Sequence, residues 1–403
     1  MGVIISDRFK FNRLELAGSL GDLGTLLPIA IAMVLINGLS PVGIFFSIAV
    51  FYIVSGLFFG VTVPVQPMKV IGAYAIASAV SPSQILASSL LMGIFILIIG
   101  LTGTIDFIRR YTPQSVIRGV QLTTGTILIS SGIKFIIGTS KFQIIQNAAE
   151  PFLSIQLLGS VNIGIIIGLA GGIVSLLLLN NKKFPAGLII VLGGVITGLL
   201  LGAKVSLSTE TLWFNFPEFL PFGLPGNVDF TFALFVLVLP QIPMTMGNAV
   251  FAYTDLSKKY FGDNSSKVTN RNVCISMALA NFLSFFLGGI PLCHGAGGLA
   301  AHYRFGARTA GSNLIIGLIF LILTLLFGND IINMLNIIPM SILGVLLVFS
   351  GTQLTLTIMD LKKRQDYFVA TLILGIALAS NLAIGFISGI IIAQLLRWKK
   401  LSV

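Results

Sequence analysis

The chain has 403 residues, of which 56% are hydrophobic and only 9% are charged, and it contains 44 glycines. Soluble domains carry roughly 25% charged residues, so this composition excludes a water-soluble globular protein. Successive apolar runs reach the length of about 18 residues that crosses a bilayer as a helix, which predicts many membrane spans. The net charge of +11 comes from basic residues at span ends, where they set orientation, so nucleic acid is not expected as a partner.

An all-α integral membrane protein is predicted, with fourteen hydrophobic segments, seven in each half. Those of the first half cover residues 13–36, 41–60, a short 67–80, 83–104, 114–137, 159–180 and 184–202. Those of the second half cover residues 229–256, 271–289, a short 295–304, 309–327, 335–357, 366–380 and 382–397. A polar, Pro- and Gly-rich stretch separates a first repeat (1–205) from a second repeat (229–403) through an extracytoplasmic linker (206–228).

The two halves carry matching landmarks. Pro113-Gln-Ser recurs as Pro339-Met-Ser, and Pro64 corresponds to Pro291 at nearly the same offset. An odd number of crossings per half makes the halves antiparallel. Cytoplasmic N- and C-termini then place most lysines and arginines on the inner side, as the positive-inside rule requires. We therefore expect a multi-pass protein of the plasma or inner membrane, although twelve spans with re-entrant short segments fit almost as well.

Two short stretches, Pro64–Lys69 and Pro291–Gly298, break hydrophobic spans near the middle of each half. Interrupted backbone at membrane depth survives only where it is buried in protein or lines a polar cavity. A pair of such breaks at corresponding positions indicates the substrate site of a transporter. Because the sequence has no Walker-type loop and no metal-ligand spacing, we expect no ATP-driven step, no metal, no cofactor and no enzymatic activity.

Specific motifs occur in order along essentially the whole chain. They are Glu15-Leu-Ala-Gly-Ser-Leu-Gly-Asp22-Leu-Gly-Thr25, Pro64-Val-Gln-Pro-Met-Lys69, Pro240-Gln-Ile-Pro243, Cys293-His-Gly-Ala-Gly-Gly-Leu299 and Tyr303-Arg-Phe-Gly-Ala-Arg308. This set resembles the molybdate transporter family of the sulfate-permease superfamily. The resemblance implies the fold shared with uracil permeases: two inverted seven-segment repeats whose broken third and tenth segments meet at the midplane. Sulfate permeases usually append a soluble STAS domain, which we do not expect after the last span.

In that fold each broken segment is a short extended piece followed by a half-helix. A helix N-terminus presents unpaired amides and the positive end of a dipole, so two of them facing one cavity form an anion site. Pro67 suits the first turn of its half-helix, and the glycines after His294 let an oxyanion approach the backbone closely. The candidate substrate-binding residues are Thr25, Gln66, Met68, Lys69, Gln241, Thr245, His294, Gly295, Ala296, Gly297 and Gly298.

Two charged residues stand out within the spans. A lysine at membrane depth costs at least about 2.5 kcal/mol, so Lys69 needs a partner. Its ammonium lies beside the bound dianion or against Asp22, unless its stem snorkels toward the inner face. Asp22 is the only carboxylate well inside a predicted span. It either exchanges protons and couples transport to the proton gradient, or serves as a structural partner of Lys69.

Other polar residues leave two interpretations open. The glutamines and threonines of the site, and Asn248, contact substrate or form interhelical hydrogen bonds. His294 lines the cavity or positions the break. Arg304 and Arg308 anchor the inner end of the tenth segment to the interface or attract anions to an inner vestibule.

The predicted function is secondary active import of a tetrahedral oxyanion, molybdate, by proton symport. Sulfate, which has the same shape and charge, is the alternative substrate. An anion channel is the alternative class, disfavoured because conduction requires weak binding. The expected partners are the small-molecule oxyanion, the lipid membrane and, since relatives of this fold often dimerise, a second copy of the chain as a homodimer.

Overall fold

The computed structural model describes residues 8–104, 113–178, 181, 186–203 and 214–396. The helices of the first half are α1 (Arg13–Ser19), α2 (Leu23–Leu35), α3 (Pro41–Phe59), α4 (Lys69–Ser78), α5 (Pro82–Thr102), α6 (Gln114–Ile137), α7 (Lys141–Ile145), α8 (Ile163–Leu178) and α9 (Ala186–Leu200). Its strands are β1 (Gln66–Pro67), β2 (Leu157–Leu158) and β3 (Val161–Asn162), and β2 pairs with β3.

The second half begins with α10, a long helical stretch over Asn227–Ser265. It continues with α11 (Asn270–Leu287), β4 (Leu292–Cys293), α12 (Ala296–Arg304), α13 (Gly311–Phe327), α14 (Ile331–Leu335), α15 (Met340–Thr355), α16 (Arg364–Ala379) and α17 (Leu382–Leu395). Each of the fourteen predicted segments contains a helix. The basic clusters at 109–110, 182–183 and 397–400 and the linker residues 204–213 lie outside the described residues.

The helices have the composition of membrane spans. Within the described part of the chain, six helices are long and apolar enough to cross a membrane, or seven if the bent pair α1–α2 forms one span. Four shorter apolar helices, α4, α8, α9 and α17, accompany them. The predicted multi-pass helical architecture is confirmed, whereas the number of fourteen crossings stays a prediction.

Local sequence explains where the long helices begin and end. α3 and α5 each open on Ser-Pro: the hydroxyls of Ser40 and Ser81 accept hydrogen bonds from backbone N–H groups of the first turn, and the proline occupies the first helical position. Both helices end at a glycine with positive φ, Gly60 and Gly103 (φ 71° each). Side chains adopt this left-handed conformation reluctantly, so glycine terminates the helix at low cost.

The two broken segments meet, as the resemblance implies. β1 and β4 form an antiparallel two-residue ladder in which Gln66 lies opposite Cys293 and Pro67 opposite Leu292. The N–H of Met68 extends it by donating to the carbonyl of Pro291 at 2.8 Å. The half-helix α4 begins at Lys69, so the prediction that Pro67 occupies its first turn is wrong. Pro67 is instead part of the strand, where it donates no hydrogen bond to the ladder.

Two buried asparagines satisfy backbone groups of the extended pieces. The side chain of Asn313 accepts from the N–H of Val63 and donates to its carbonyl, both at 2.8 Å. Asn281 does the same for Leu292, accepting at 3.2 Å and donating at 2.8 Å. These amides replace the hydrogen bonds that a broken helix loses, which hydrocarbon could not supply.

Helices pack across the two halves. α3 packs on α13, α5 on α11 and α6 on α15, so neither half forms a bundle of its own. In the α6–α15 crossing, Gly125 lies against the carbonyl of Gly351, and Gly132 lies against that of Gly344. The paired numbers run in opposite directions, so the two helices are antiparallel, as inverted repeats require. Small residues of this kind let helix backbones approach closely within a membrane.

Two predicted segments are less regular than expected. The first is bent by 42° between α1 and α2, at the Gly21-Asp22 step. The eighth, α10, contains the π-helical stretches Ala233–Val238 and Thr245–Ala252 on either side of Pro240 and Pro243. A proline removes an intrahelical hydrogen bond, and π turns are one local adjustment that accommodates it.

A buried carboxylate lies at the opposite end of the bundle from the N-terminus of α1. Glu150, in the loop after α7, is 1% exposed and accepts hydrogen bonds from the N–H groups of Met340 (2.7 Å) and Ser341 (2.9 Å). It thereby caps α15, where the helix dipole favours a negative charge. Burial nevertheless raises the pKa of Glu150 above its ordinary value of 4.5, and the hydrogen bonds to Ser341 and Met340 oppose this shift.

The raised pKa predicts that Glu150→Gln removes a pH dependence of stability. The folded protein holds this proton more tightly than the unfolded chain. The stabilisation is therefore fully present below the unfolded pKa near 4.5 and is lost as pH rises through the raised folded pKa. Thermal unfolding of the detergent-purified protein between about pH 4 and 8 should show a smaller loss in the variant. Glu218→Gln, at an exposed loop carboxylate, should keep the wild-type slope, and equal slopes in all three proteins would refute this role.

Candidate functional site

A cavity of about 460 Å³ lies between the bend in the first segment, the half-helices α4 and α12, and α15. Of the predicted site residues, those that line it are Asp22, Thr25, Gln66, Lys69 and Gly297. Those that lie outside its lining are Met68, Gln241, Thr245, His294, Gly295, Ala296 and Gly298. The cavity is walled partly by backbone, because Gly21, Gly24 and Gly187 also border it.

Asp22, Gln66 and Lys69 form a hydrogen-bonded chain. The side-chain amide of Gln66 donates to Asp22 Oδ2 at 2.5 Å, and Lys69 Nζ donates to Gln66 Oε1 at 3.0 Å. Gln66 therefore stands between the two charges, and Lys69 does not pair directly with Asp22. Asp22 still interacts electrostatically with Lys69. This arrangement holds a lysine and an aspartate at membrane depth without neutralising the ammonium in a direct ion pair.

Gln241 caps the N-terminus of the half-helix α4. Its Oε1 accepts from the backbone N–H groups of Val70 (3.0 Å) and Ile71 (3.4 Å), and its Nε2 donates to Thr245 Oγ1 at 2.9 Å. The first turn of α4 is thus largely capped by protein. For Gln241 this is the interhelical interpretation that the sequence left open, whereas the bond to Thr245 lies within α10. Contact of either residue with substrate stays a prediction.

The first turn of α12 has a different environment. In the described structure the N–H groups of Ala296, Gly297 and Gly298 make no hydrogen bond to another protein group. A Cβ on Gly297 would meet nothing within 4 Å, so this residue faces open space in the cavity wall. Side-chain atoms of Gln66 lie where a Cβ of Gly295 or Gly298 would stand. Glycines therefore allow the Gln66 amide to lie directly on the helix N-terminus.

His294 is a structural residue in this arrangement. Its Nδ1–H donates to the carbonyl of Pro64 at 2.8 Å, which leaves Nε2 to accept from Ser276 Oγ at 3.2 Å. The ring stacks on Tyr253, with centroids 5.3 Å apart. His294 thus ties one broken segment to the other, which agrees with the interpretation that it positions the break.

Sequence reasoning missed His302. It is 1% exposed, its Nδ1–H donates to the carbonyl of Gly18 at 2.7 Å, and it interacts electrostatically with Asp22. Its Nε2 is buried and has no hydrogen-bond partner within the described parts of the chain. The signal was present in the spacing: His302 lies four residues after Gly298 and so shares its helix face. That face packs against the bend that carries Asp22.

Several further residues surround the site. Asn248, which the sequence left open as a substrate contact, lines the cavity. Polar side chains that the sequence did not single out also line it: Gln121, Ser175, Ser350, Gln353 and Thr357. Arg304 borders the cavity as well, whereas Arg308 does not. Arg118 pairs with Asp360, joining α6 to the short helical turn Leu356–Asp360 that follows α15. Among the described residues no group of three His, Cys, Asp or Glu side chains could hold a metal.

The fold is that of known anion transporters. The transmembrane domain of the cyanobacterial bicarbonate transporter BicA superposes with a TM-score of 0.68 at 14% identity, covering 95% of this chain and 98% of that one. SLC26A9 superposes with a TM-score of 0.67 at 18% identity, covering 98% of this chain and 66% of that one. The sulfate-permease-like fold that the resemblance implies is confirmed, whereas the bounds of the two predicted repeats stay a prediction.

The sequence comparisons define the family. The profile described as "Molybdate transporter of MFS superfamily" matches residues 14–128 and 233–354. Molybdate transporter 2 of Arabidopsis thaliana is 29% identical over 420 residues, which cover 96% of this chain and 88% of the relative. Molybdate transporter 1 of Chlamydomonas reinhardtii is 29% identical over 481 residues, covering 94% and 90%. The chain belongs to the molybdate transporter family, and these relatives are named as transporters rather than enzymes.

Proposed function

We propose that the protein imports molybdate, a tetrahedral oxyanion, by proton symport across the cell membrane. The observation that carries the proposal is the wall of the cavity. There the ammonium of Lys69, held by Gln66, borders the same space as the backbone of Gly297 in the uncapped first turn of α12. A lysine and a helix N-terminus together attract an anion, and amide and hydroxyl donors suit its oxygens. The names of the relatives support molybdate as that anion.

The mouth of the cavity supports an inward-facing arrangement. The cavity is bordered by Leu178 and Ala186, which flank the 182–183 lysines, and by Arg304 and Thr357 at helix ends. These ends carry the basic residues that the positive-inside rule places in the cytoplasm. The site would therefore release its anion to the cytoplasm in this conformation.

Isothermal titration of the purified protein tests the substrate. Molybdate should bind with a dissociation constant of about 1 μM or tighter, which corresponds to about −8 kcal/mol. Sulfate should bind at least about tenfold more weakly, both directly and as a competitor. Equal affinities would replace molybdate by a general sulfate-type specificity, and binding of neither anion would overturn the substrate class.

Proton coupling is assigned to Asp22, which lies in the cavity wall and interacts with His302. Asp22→Asn keeps an acceptor for Gln66 Nε2 but cannot exchange a proton. In proteoliposomes an inward proton gradient should stimulate molybdate uptake by the wild type, and the variant should bind molybdate without this stimulation. Asp255→Asn, at an exposed carboxylate near the inner end of α10, should behave as wild type. Gradient-stimulated uptake by Asp22→Asn would remove Asp22 from coupling.

A further inference from the structure

A second cavity, of about 430 Å³, lies at the end of the bundle that carries the N-terminus. Its walls come from four places in the chain: the Arg8–Lys10 segment, the end of α3 at Gly60, the end of α10 at Tyr260, and the α12–α13 loop at Arg308. It shares no lining residue with the cavity around Lys69. We call it the basic pocket.

The charge of the basic pocket is positive and uncompensated. Arg8, Lys10 and Arg308 line it, and its described lining contains no aspartate or glutamate. Two carboxylates lie close to this lining in the chain or the fold: Asp263, which is exposed and not part of the lining, and Glu15, which is occupied by backbone groups. Its carboxylate accepts from the backbone N–H groups of Arg308 (3.1 and 3.3 Å) and Thr309 (3.0 Å). Three cations that converge without an acid form a site for an anion.

The backbone around the pocket is fixed by hydrogen bonds between distant segments. The N–H of Lys10 donates to Thr309 Oγ1 at 3.1 Å, and the N–H of Ala310 donates to the carbonyl of Arg8 at 3.1 Å. The Arg8 side chain lies next to Gly60, where the C-terminal end of the α3 dipole favours a cation. The two basic residues of the N-terminal segment are thereby held against the loop that carries Arg308.

The guanidinium of Arg308 is oriented before any ligand arrives. It lies 3.6 Å from the ring centroid of Tyr303, and that ring stacks on Tyr260 with centroids 3.9 Å apart. Its Nη1 donates to the carbonyls of Tyr303 (2.5 Å) and Ala307 (2.8 Å). Nε and Nη2 form no hydrogen bond with the described protein groups and so can bind a phosphate in bidentate fashion.

The position of the pocket relative to the membrane indicates which anion it binds. It lies where two spanning helices, α3 and α10, end on the side of the basic residues, and Tyr260 and Phe261 supply the aromatic rings typical of a membrane interface. Lipid phosphates lie at this depth, and basic pockets between spanning helices bind acidic head groups. We propose that the basic pocket binds the phosphate of an anionic phospholipid of the inner leaflet.

Thermal unfolding of the full chain in neutral detergent tests the proposal with three probes: phosphatidylglycerol, phosphatidylcholine and inorganic phosphate. Phosphatidylglycerol should raise Tm by roughly 2–4 °C, and the other two probes should raise it less. The combined variant Arg8→Gln, Lys10→Gln, Arg308→Gln should lose this shift. The matched control Lys258→Gln, Lys259→Gln removes exposed basic residues beside the pocket and should keep it.

Three results would contradict the proposal. An equal shift with phosphatidylcholine, or an equal loss in the control variant, would overturn a specific pocket. A shift with inorganic phosphate alone would assign the site to a soluble phosphate instead of a lipid. If the triple variant folds poorly, Arg8→Gln with Lys10→Gln leaves the Arg308–Tyr303 stack intact and should still show a reduced shift. Molybdate titration of these variants should match the wild type, which separates this pocket from the transport site.

Discussion

Replacing Lys69 by alanine should weaken molybdate binding by about 10- to 150-fold while the protein stays folded. The lysine borders the cavity and is its only cation held at the midplane among the described lining residues. A hydrogen bond to a charged group contributes about 1.5–3 kcal/mol, and each 1.4 kcal/mol changes affinity tenfold. The variant also frees Gln66 Oε1, so the amide loses the partner that orients it toward Asp22.

Isothermal titration with molybdate measures this loss. Lys134→Ala provides the matched control, because this lysine is exposed near the end of α6 and lies outside the cavity lining. Its affinity should equal that of the wild type. Unchanged affinity in Lys69→Ala would show that the anion binds away from Lys69. A thermal unfolding curve for each variant separates lost binding from lost structure.

Gly298→Ala should abolish transport, because the added methyl group would overlap with atoms of the site. A Cβ at this position would stand 2.5 Å from Asp22 Oδ2, 2.7 Å from Gln66 Nε2 and 2.8 Å from Pro64 Cβ. Asp22 and Gln66 belong to the hydrogen-bonded chain that holds Lys69, and the carbonyl of Pro64 accepts a hydrogen bond from His294. The three groups therefore cannot all move aside. Overpacking of this kind costs typically about 1–3 kcal/mol and displaces the groups that it meets. We expect a lower Tm and no measurable molybdate uptake.

Gly297→Ala, one residue earlier, is the matched comparison. Its Cβ would meet nothing within 4 Å, so stability should be unchanged. The methyl group enters the cavity, and we expect it to weaken molybdate binding only through the space that it takes. Tm and uptake measured on both variants distinguish the two positions. Wild-type uptake by Gly298→Ala would show that the Asp22–Gln66 contact is dispensable.

The sequence alone predicted the paired breaks because their chemistry is local. Prolines and glycines inside apolar runs at Pro64–Lys69 and Pro291–Gly298 cannot form continuous helix, and only a buried or cavity-lining position tolerates them. The Ser-Pro starts of α3 and α5 and their glycine ends depend on equally local chemistry. That the two broken segments meet was implied by the resemblance and not by the residues themselves, and the two-residue ladder between β1 and β4 was not predicted.

The partners of the site residues could not be predicted in this way. Gln66 lies between Asp22 and Lys69 because the extended piece turns its side chain toward the bend in the first segment, and no spacing in the sequence shows that. The same holds for Gln241, which lies 171 residues from Val70 and caps its helix. Such contacts depend on how α10 packs against α4, and hydrophobic periodicity carries no information about that packing.

The backbone ladder between β1 and β4 has a thermodynamic consequence for the transport cycle. It joins the two broken segments, and the His294–Pro64 hydrogen bond cross-links them further. The Asp22–Gln66–Lys69 chain ties the first broken segment to the bend between α1 and α2. Because these hydrogen bonds connect the walls of the site, we expect the site to keep its shape whichever compartment it faces. Its dissociation constant for the anion should then be nearly the same on both sides of the membrane. Whatever its affinities on the two sides, a carrier without a coupled ion only equilibrates its cargo. Under the proposed symport, accumulation against a concentration gradient would come from the proton gradient and not from a difference in affinity between the two sides.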